Sequence, residues 1–372
     1  MTSRDVARVT LVSPYALSVF GGVQEQVLSM SRELAGRGID VQVVAPDSSD
    51  HAEYETPARL ERCGRLLVVP ANGSRAPLTL SAHASREAFD RVSAFAPDVV
   101  HFHEPFAPRV GWRTLRAHLT PAVGTFHRSG VGRSLSLVTP VLRRWVSYLD
   151  ATAAVSPMAA RTADELWAVQ PPVLFNGFET ERFRVFDREN QPEETLVVVG
   201  RLEARKGVAT VIAALRSHNL RGERPWRLVI IGAGPERMAL ERSASAADAV
   251  VFLGAVSDEE KRRWYRRADV VIASATHGES FGLILLEAMA SETRVVASDI
   301  PGYRDAAGAH AVLFAPGQSA DLERAIGLAL HTRDAATLSA AREHAQRWSM
   351  RQLVDEYLAL YSRAREQFVA LG

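Results

Sequence analysis

Residues 278 to 289, GESFGLILLEAM, set two carboxylates eight positions apart, Glu279 in a glycine-rich entry and Glu287 in the apolar run that follows. If the whole segment is helical, a rise of 1.5 Å per residue separates them by roughly 12 Å along the axis. Double displacement at one glycosidic bond needs carboxyls about 5–5.5 Å apart. This pair is therefore too widely spaced to attack and protonate a single bond. It can hold the two ends of one elongated ligand, with Glu279 beside a sugar and Glu287 on a ribose diol. The backbone N–H groups near Ser280, Phe281, Gly282 and Leu283 lie between them and suit phosphates. The bland alternative is a capping glutamate and a surface glutamate.

GRLEARKG, residues 200 to 207, follows an apolar strand. Arg201, Arg205 and Lys206 thus converge at a carboxyl strand end, the usual ligand edge of an open α/β sheet. A forked guanidinium and a compact ammonium there suit a pyrophosphate; elsewhere the cluster would be a solvated basic loop. Gly21 and Gly22, in SPYALSVFGGVQEQV, stand where a buried strand has ended and an amphipathic helix begins. Paired glycines let a ligand approach the backbone, though an ordinary turn would use them equally well. IIGAGPER, residues 230 to 237, has G-x-G after a strand but Arg237 in place of the third glycine. A tight turn explains it, and a nicotinamide-dependent oxidoreductase has only this incomplete fingerprint in its favour.

His101 and His103 in VVHFHEP share one face of a strand end with Glu104 beside them, and His127 ends the run AVGTFH. Two histidines and a carboxylate could ligate a metal. No second His/Asp/Glu set accompanies them, however, and no D-x-D motif occurs. Strand-end histidines facing a cleft are better read as hydrogen-bonding a substrate.

The elements that must position these groups are legible in outline. A chain of 372 residues has room for two or three domains. Its 47% hydrophobic and 23% charged residues are ordinary for a globular protein. Lys and Arg number 44 against 43 Asp and Glu, so no overall field would gather nucleic acid. The single cysteine, Cys63, excludes an internal disulfide framework and a four-cysteine zinc site, and fits a reducing compartment. No run approaches the ~18 apolar residues of a membrane helix, and MTSRDVARVT lacks the apolar core of a signal peptide. The expectation is a cytoplasmic protein, with peripheral contact at the inner face of the cell membrane left open.

Apolar runs spaced for βα units occur at Val9–Ser13, Val41–Ala45, Leu66–Val69, Val99–Phe102, Val123–Phe126 and Thr152–Val155 in the first half. In the second they occur at Leu196–Val199, Leu228–Ile231, Val250–Leu253, Val270–Ala273 and Arg294–Ala297. Most are continuous rather than alternating, as in strands covered by helices on both faces. The intervening stretches carry helical spacing, for example Val23, Val27, Met30 and Leu34 before Gly36. Two doubly wound parallel-sheet halves follow, an α/β fold. The junction is expected near PPVLFNGFETERF, residues 171–183, which divides the chain into 1–172 and 173–349. A final helix is expected from Met350, spaced at Leu353, Tyr357, Leu360 and Tyr361.

Taken together, Glu279-SFGLILL-Glu287, Arg201…Lys206–Gly207, the early GGVQ, HFHEP and the NGF…F linker resemble the retaining glycosyltransferases of family 4 over essentially the whole chain. Within the family, SPYALSVFGGVQEQV, HFHEPFAP and GESFGLILLEAM are most similar to the actinobacterial enzymes that mannosylate phosphatidylinositol. The resemblance implies a GT-B fold: two facing Rossmann-like domains, with residues 350–372 crossing back to the first and closure about residues 171–183. It implies that Gly22, beside Gly21, approaches the donor's β-phosphate and that Arg201 and Lys206 neutralise the pyrophosphate. Glu279 would bind the transferred sugar, Glu287 the ribose hydroxyls, and His127 the sugar near the reaction centre. Val256, Asp258 and Lys261 would lie by the base.

The implied activity is transfer of a hexose, mannose from GDP-mannose, onto a hydroxyl of a phosphatidylinositol-like lipid or a glycan. A UDP-sugar donor with a soluble glycan or small-molecule acceptor stays open, as does a non-catalytic sugar-nucleotide binding protein. The nucleotide-diphosphate sugar is a substrate and no tightly bound cofactor is implied; magnesium could accompany it, with no D-x-D motif to hold it. Two departures stand out. The Arg201–Lys206 spacing is one residue shorter than in the phosphatidylinositol enzymes. Their lysine-rich membrane-docking helix is also replaced by SAHASREAFDRVSAF, where Arg86 and Arg91 face Glu87 and Asp90. Arg128, Arg133, Arg143 and Arg144 offer a different basic surface.

Overall fold

Continuous apolar runs become strands buried from both sides. The first sheet comprises β1 (Arg8–Val12), β2 (Asp40–Asp47), β3 (Arg59–Arg65), β6 (Val99–His103), β7 (Ala122–Phe126) and β8 (Ala151–Ala154), with the hairpin β4 (Leu67–Ala71) and β5 (Ser74–Leu78) set apart. The second comprises β9 (Glu194–Val199), β10 (Trp226–Ile231), β11 (Val250–Gly254), β12 (Val270–Ala273), β13 (Arg294–Ser298) and β14 (Val312–Phe314). This computed structural model describes all residues except 1–5, 19, 20, 48–55, 66, 72, 73, 80, 108, 129, 131–138, 184–192, 223, 245–248, 280, 332, 333 and 372. The chain divides into two units, residues 1–177 with 350–372, and residues 178–349.

Both six-stranded sheets are parallel and share one order, β3-β2-β1-β6-β7-β8 and β11-β10-β9-β12-β13-β14. Chain direction across each sheet reverses beside its first strand, so the switch points lie at β1/β6 and β9/β12, where such sheets bind ligands. Helices seal the faces with apolar stripes. Val208, Val211, Ile212 and Leu215 of the Val208–Leu220 helix are buried against Leu196, Leu228 and Ile272. Val27, Met30 and Leu34 of the Gly22–Gly36 helix are buried against Val9, Leu11 and Val43.

The Met350–Leu371 helix belongs to the first unit. Met350, Leu353, Val354, Tyr357, Leu360, Tyr361 and Ala364 recur at three- and four-residue intervals and are all buried in its core.

One strand expectation needs correction. The run expected at Leu66–Val69 is an arm of the antiparallel hairpin rather than a strand of the main sheet, and Leu66 itself lies outside the described residues. Its intended place is taken by β3, RLERCGR, which lies at the sheet edge and, among the described residues, pairs with β2 alone. An edge strand is covered less completely and tolerates charge, so its sequence carries no continuous apolar run.

The G-x-G of residues 232–234 proves to be a packing device. A Cβ at Gly232 would sit 1.8 Å from the Gly200 carbonyl oxygen, and one at Gly234 would sit 2.3 Å from that of Leu202. The loop after β10 thus lies backbone-on-backbone against the loop after β9, joined by Leu202 N–H to Ala233 O at 3.0 Å.

Candidate functional site

In the second unit the loops after β9 and β12 meet at the switch point. The chain leaves β9 through Gly200, makes a single 3₁₀ turn at Ala204–Lys206, and passes through Gly207 at φ +65°. A Cβ there would lie 2.1 Å from the Ser274 carbonyl oxygen, so only glycine lets the loops approach this closely. They are cross-linked as well: the Ser274 hydroxyl donates to the Lys206 carbonyl at 2.8 Å, and Thr276 N–H to the Arg205 carbonyl at 2.7 Å.

This locking fixes the charges. Lys206 Nζ is 2.8 Å from Glu279 Oε1, and Arg205 pairs with the same oxygen while donating to Gly278 O at 3.2 Å. Glu203 receives Arg205 Nε at 2.9 Å and Arg201 Nη2 at 3.2 Å. The Arg201 side chain remains 46% exposed. The result is a cationic rim over a cleft lined by Gly200, Arg201, Lys206, Ser274 and Tyr303. Burial, reinforced by the Glu279 charge, pushes the Tyr303 phenol far above its usual range, so it stays protonated.

The segment from Glu279 to Glu287 is not one helix. Gly282, at φ +98°, caps a helix that begins only at Leu283. The 12 Å axial estimate rests on helical geometry that Glu279, Phe281 and Gly282 do not adopt. Phe281 is buried against Trp348, ring centroids 4.9 Å apart, which anchors the turn. Ser280 lies outside the described residues. Glu287 is nearly buried and doubly held, by Lys261 Nζ at 3.1 Å and by the Tyr265 hydroxyl, which donates at 2.8 Å.

Lys261 also lies 3.5 Å from Asp258 Oδ1. Both sit on the Asp258–Arg267 helix, whose N-cap Ser257 accepts from Glu260 N–H at 3.2 Å; Val256 is half-buried in the turn before it. Lys261, Asp258 and Glu287 are thus one cluster, and Arg201, Lys206 and Glu279 another. Arg205 and Tyr265 complete them. Tyr265 was not singled out from sequence, although its position one helical turn beyond Lys261 places both on one face.

In the first unit, Gly21 caps the Gly22–Gly36 helix in extended conformation, and a Cβ at Gly22 would meet nothing within 4 Å. Gly22 is therefore not demanded by packing. His101 and His103 do not face a substrate: they are 0% and 2% exposed. His101 bonds Tyr361 OH at 2.8 Å and Thr125 Oγ1 at 2.7 Å, while Thr125 lies 2.9 Å from Tyr357 OH. Tyr357 and Tyr361 come from the helix of residues 350–371, which turns the strand-end histidines into core. His103 Nδ1 bonds His127 Nε2 at 2.9 Å, and His127 is the half-buried member of the set. Glu104 accepts the backbone N–H groups of His127 and Arg128, so its carboxylate fixes the turn after β7. Among the described residues no group of three or more His, Cys, Asp or Glu side chains is placed to hold a metal ion.

Burial pushes His101 and His127 down to about 3 and His103 well below its usual range. All three are neutral when folded yet titrate at 6.5 when exposed. Below that pH the unfolded chain binds the extra protons. Stability is therefore full above pH 6.5 and falls as the pH drops from 6.5 toward 3. Each imidazole steepens the loss by up to about 1.4 kcal/mol per pH unit. Urea unfolding of the first unit at pH 7.5, 6 and 5 is expected to show midpoints falling in that order. A flat series would contradict the buried neutral set.

Of the alternative basic surface, Arg143 donates to the carbonyls of Leu166 and Glu165, Arg144 is exposed, and Arg133 lies outside the described residues. On the Ala82–Phe95 helix, Arg91 is paired with Glu61 at 2.9 Å, and Glu87 accepts Gly64 N–H at 3.0 Å.

Residues 20–182 match the family model described as Glycosyltransferase Family 4, and residues 179–348 that described as Glycosyl transferases group 1. The chain is 34% identical over 302 residues to the phosphatidyl-myo-inositol mannosyltransferase of Mycolicibacterium smegmatis, covering 80% of this chain and 77% of that one. It is 32% identical over 376 residues to the protein of that name from Propionibacterium freudenreichii, covering 97% and 96%. Among solved structures, a glycosyltransferase from Rickettsia africae superposes with a TM-score of 0.76 at 14% identity, over 97% of this chain and 99% of that one.

Proposed function

The chain belongs to glycosyltransferase family 4, and from that premise we propose that it moves mannose from GDP-mannose, with retention, onto a hydroxyl of a phosphatidylinositol-like lipid or a related glycan. The observation that carries this reading is the double arrangement on the second unit. Lys206 and Arg205 gather on Glu279 at the sheet's switch point, while Lys261 and Tyr265 hold Glu287 beside it in sequence. One cluster suits a diphosphate next to a sugar, and the other suits a ribose diol whose hydroxyls donate to a carboxylate. The names of the curated relatives support mannose and the inositol lipid.

In this reading Arg201 and Lys206 meet the pyrophosphate, helped by the free N–H groups of Leu283 and Ile284 in the first turn of the Leu283–Ala290 helix. Asp258 and Val256 lie by the base, and Gly21 and Gly22 admit the β-phosphate. His127 touches the transferred sugar. The anomeric C–O bond to phosphate breaks as the acceptor oxygen bonds the same carbon from the same face. The acceptor's proton passes to the departing phosphate oxygen, and the cationic rim stabilises the charge that develops there. A lipid acceptor brings the protein to a membrane surface as a peripheral partner; among the described residues no helix is long and apolar enough to cross one.

Calorimetric titration with GDP-mannose, GDP and a panel of UDP-sugars, each with and without magnesium, tests the donor. The guanine nucleotides are expected to bind at least about tenfold more tightly, a difference of 1.4 kcal/mol. Preference for a UDP-sugar would discard GDP-mannose and the lipid acceptor inferred with it. Binding without turnover on any acceptor would favour a sugar-nucleotide binding protein.

A further inference from the structure

The imidazoles of the first unit are joined in a way that decides where each proton resides. His103 Nδ1 and His127 Nε2 are 2.9 Å apart, so one ring donates and the other accepts. The second nitrogen of His103, Nε2, is buried and has no hydrogen-bond partner among the described residues. The ring is stacked on His101 with centroids 4.3 Å apart, and both nitrogens of His101 are engaged, by Tyr361 and by Thr125. Two arrangements are then possible for a neutral His103. With its proton on Nε2, it would bury an N–H that has no acceptor. With its proton on Nδ1, it donates to His127 and leaves only a lone pair unmatched. A buried orphan N–H is the rarer of the two. The proton therefore belongs on Nδ1, and His127 Nε2 is the acceptor.

We propose that His103 is a positioning residue that holds His127 in the Nδ1–H tautomer, so that the half-buried ring presents an N–H donor rather than a lone pair to an oxygen of the bound sugar nucleotide. His127 Nδ1 has no protein partner among the described residues, so it is free for that bond. The inference rests on the reading of His127 as a sugar contact, and it sharpens that reading. A ring that already carries its proton at the outward nitrogen cannot serve as the base for the acceptor hydroxyl. The acceptor's proton must go elsewhere, as in the transfer to the departing phosphate described above. The ligand class is correspondingly narrowed to a hydroxyl or phosphoryl oxygen with a lone pair to offer.

Long-range ¹⁵N–¹H spectra of the full-length, ligand-free protein labelled at histidine, at pH 7.5, read the tautomer directly; a His127→Gln variant assigns the signals. His127 is expected to be protonated at Nδ1. His103→Asn keeps an amide N–H near the original Nδ1, so the tautomer should persist and kcat should stay within about threefold. His103→Leu removes the donor. His127 should then shift toward protonation at Nε2, and kcat should fall about tenfold with donor KM unchanged, the equivalent of one lost hydrogen bond. Protonation of wild-type His127 at Nε2 overturns the proposal, as does a His103→Leu protein whose tautomer and kcat are both unaltered. If His103→Leu does not fold, the wild-type and His103→Asn spectra still decide. Because the tautomer is read without ligand, a failure of the assigned transferase activity would leave this measurement standing and would be recognised as a separate failure.

Discussion

Replacing Arg201 and Lys206 together by alanine is expected to lower kcat about a thousandfold while the protein stays folded. The rate loss follows from removing two fixed cations aimed at the charge that develops on a leaving pyrophosphate, where a single preorganised donor is commonly worth 10²–10³. The fold survives because of Arg205. It pairs with Glu279 when Lys206 is gone and with Glu203 when Arg201 is gone, so neither carboxylate is left without a cation. Arg201 is also half exposed and contributes little packing. Circular dichroism and the thermal midpoint should match the wild type within a few degrees, and single-turnover assays with GDP-mannose should show the loss. A folded double variant with wild-type kinetics would remove the assignment of these residues to the pyrophosphate.

The second large effect is expected at Glu287. Glu287→Ala should weaken GDP binding about a hundredfold, since two charge-assisted hydrogen bonds to a ribose diol are worth about 3 kcal/mol together. It also leaves the buried Tyr265 hydroxyl without its acceptor and takes one carboxylate away from Lys261, so a drop of several degrees in Tm should accompany it. Tyr265→Phe separates the two consequences. It keeps the carboxylate and Lys261 and should lose less than about fivefold in GDP affinity. Calorimetry on the three proteins reads this directly, and a Glu287→Ala protein that binds GDP like the wild type would withdraw the diol assignment.

What was legible in the residues, and what was not, divides by the range of the interaction. Continuous runs such as Leu228–Ile231 announce a central strand because both faces are covered, and the Met350–Leu371 helix declares its buried stripe by spacing alone. Arg59–Arg65 hides because an edge strand does not need that signal. Histidines at the end of β6 look identical whether they face a ligand or a core. What decides is a helix some 250 positions later that sets Tyr357 and Tyr361 against Thr125 and His101. The same limit applies to Glu279 and Glu287. Their types and order were readable, but the break at Gly282 and the partners that hold each carboxylate depend on loops brought together only by the sheet. Lys261 and Tyr265 show the opposite case: a pair within one helix whose spacing already stated that they share a face.

The helix of residues 350–371 also sets a timetable. It fills one face of a sheet whose strands are all complete by residue 154, yet the whole second unit, residues 178–349, is encoded between them. At about 5–20 residues per second on the ribosome, those roughly 170 residues take on the order of 10–30 s to make. During that interval Val9, Leu11, Met30 and Val123 lack the cover that the last helix supplies. The unit translated first is therefore the unit finished last. A chain cut short between Leu353 and Tyr361 would keep a complete second unit and expose the core of the first to chaperones and proteases.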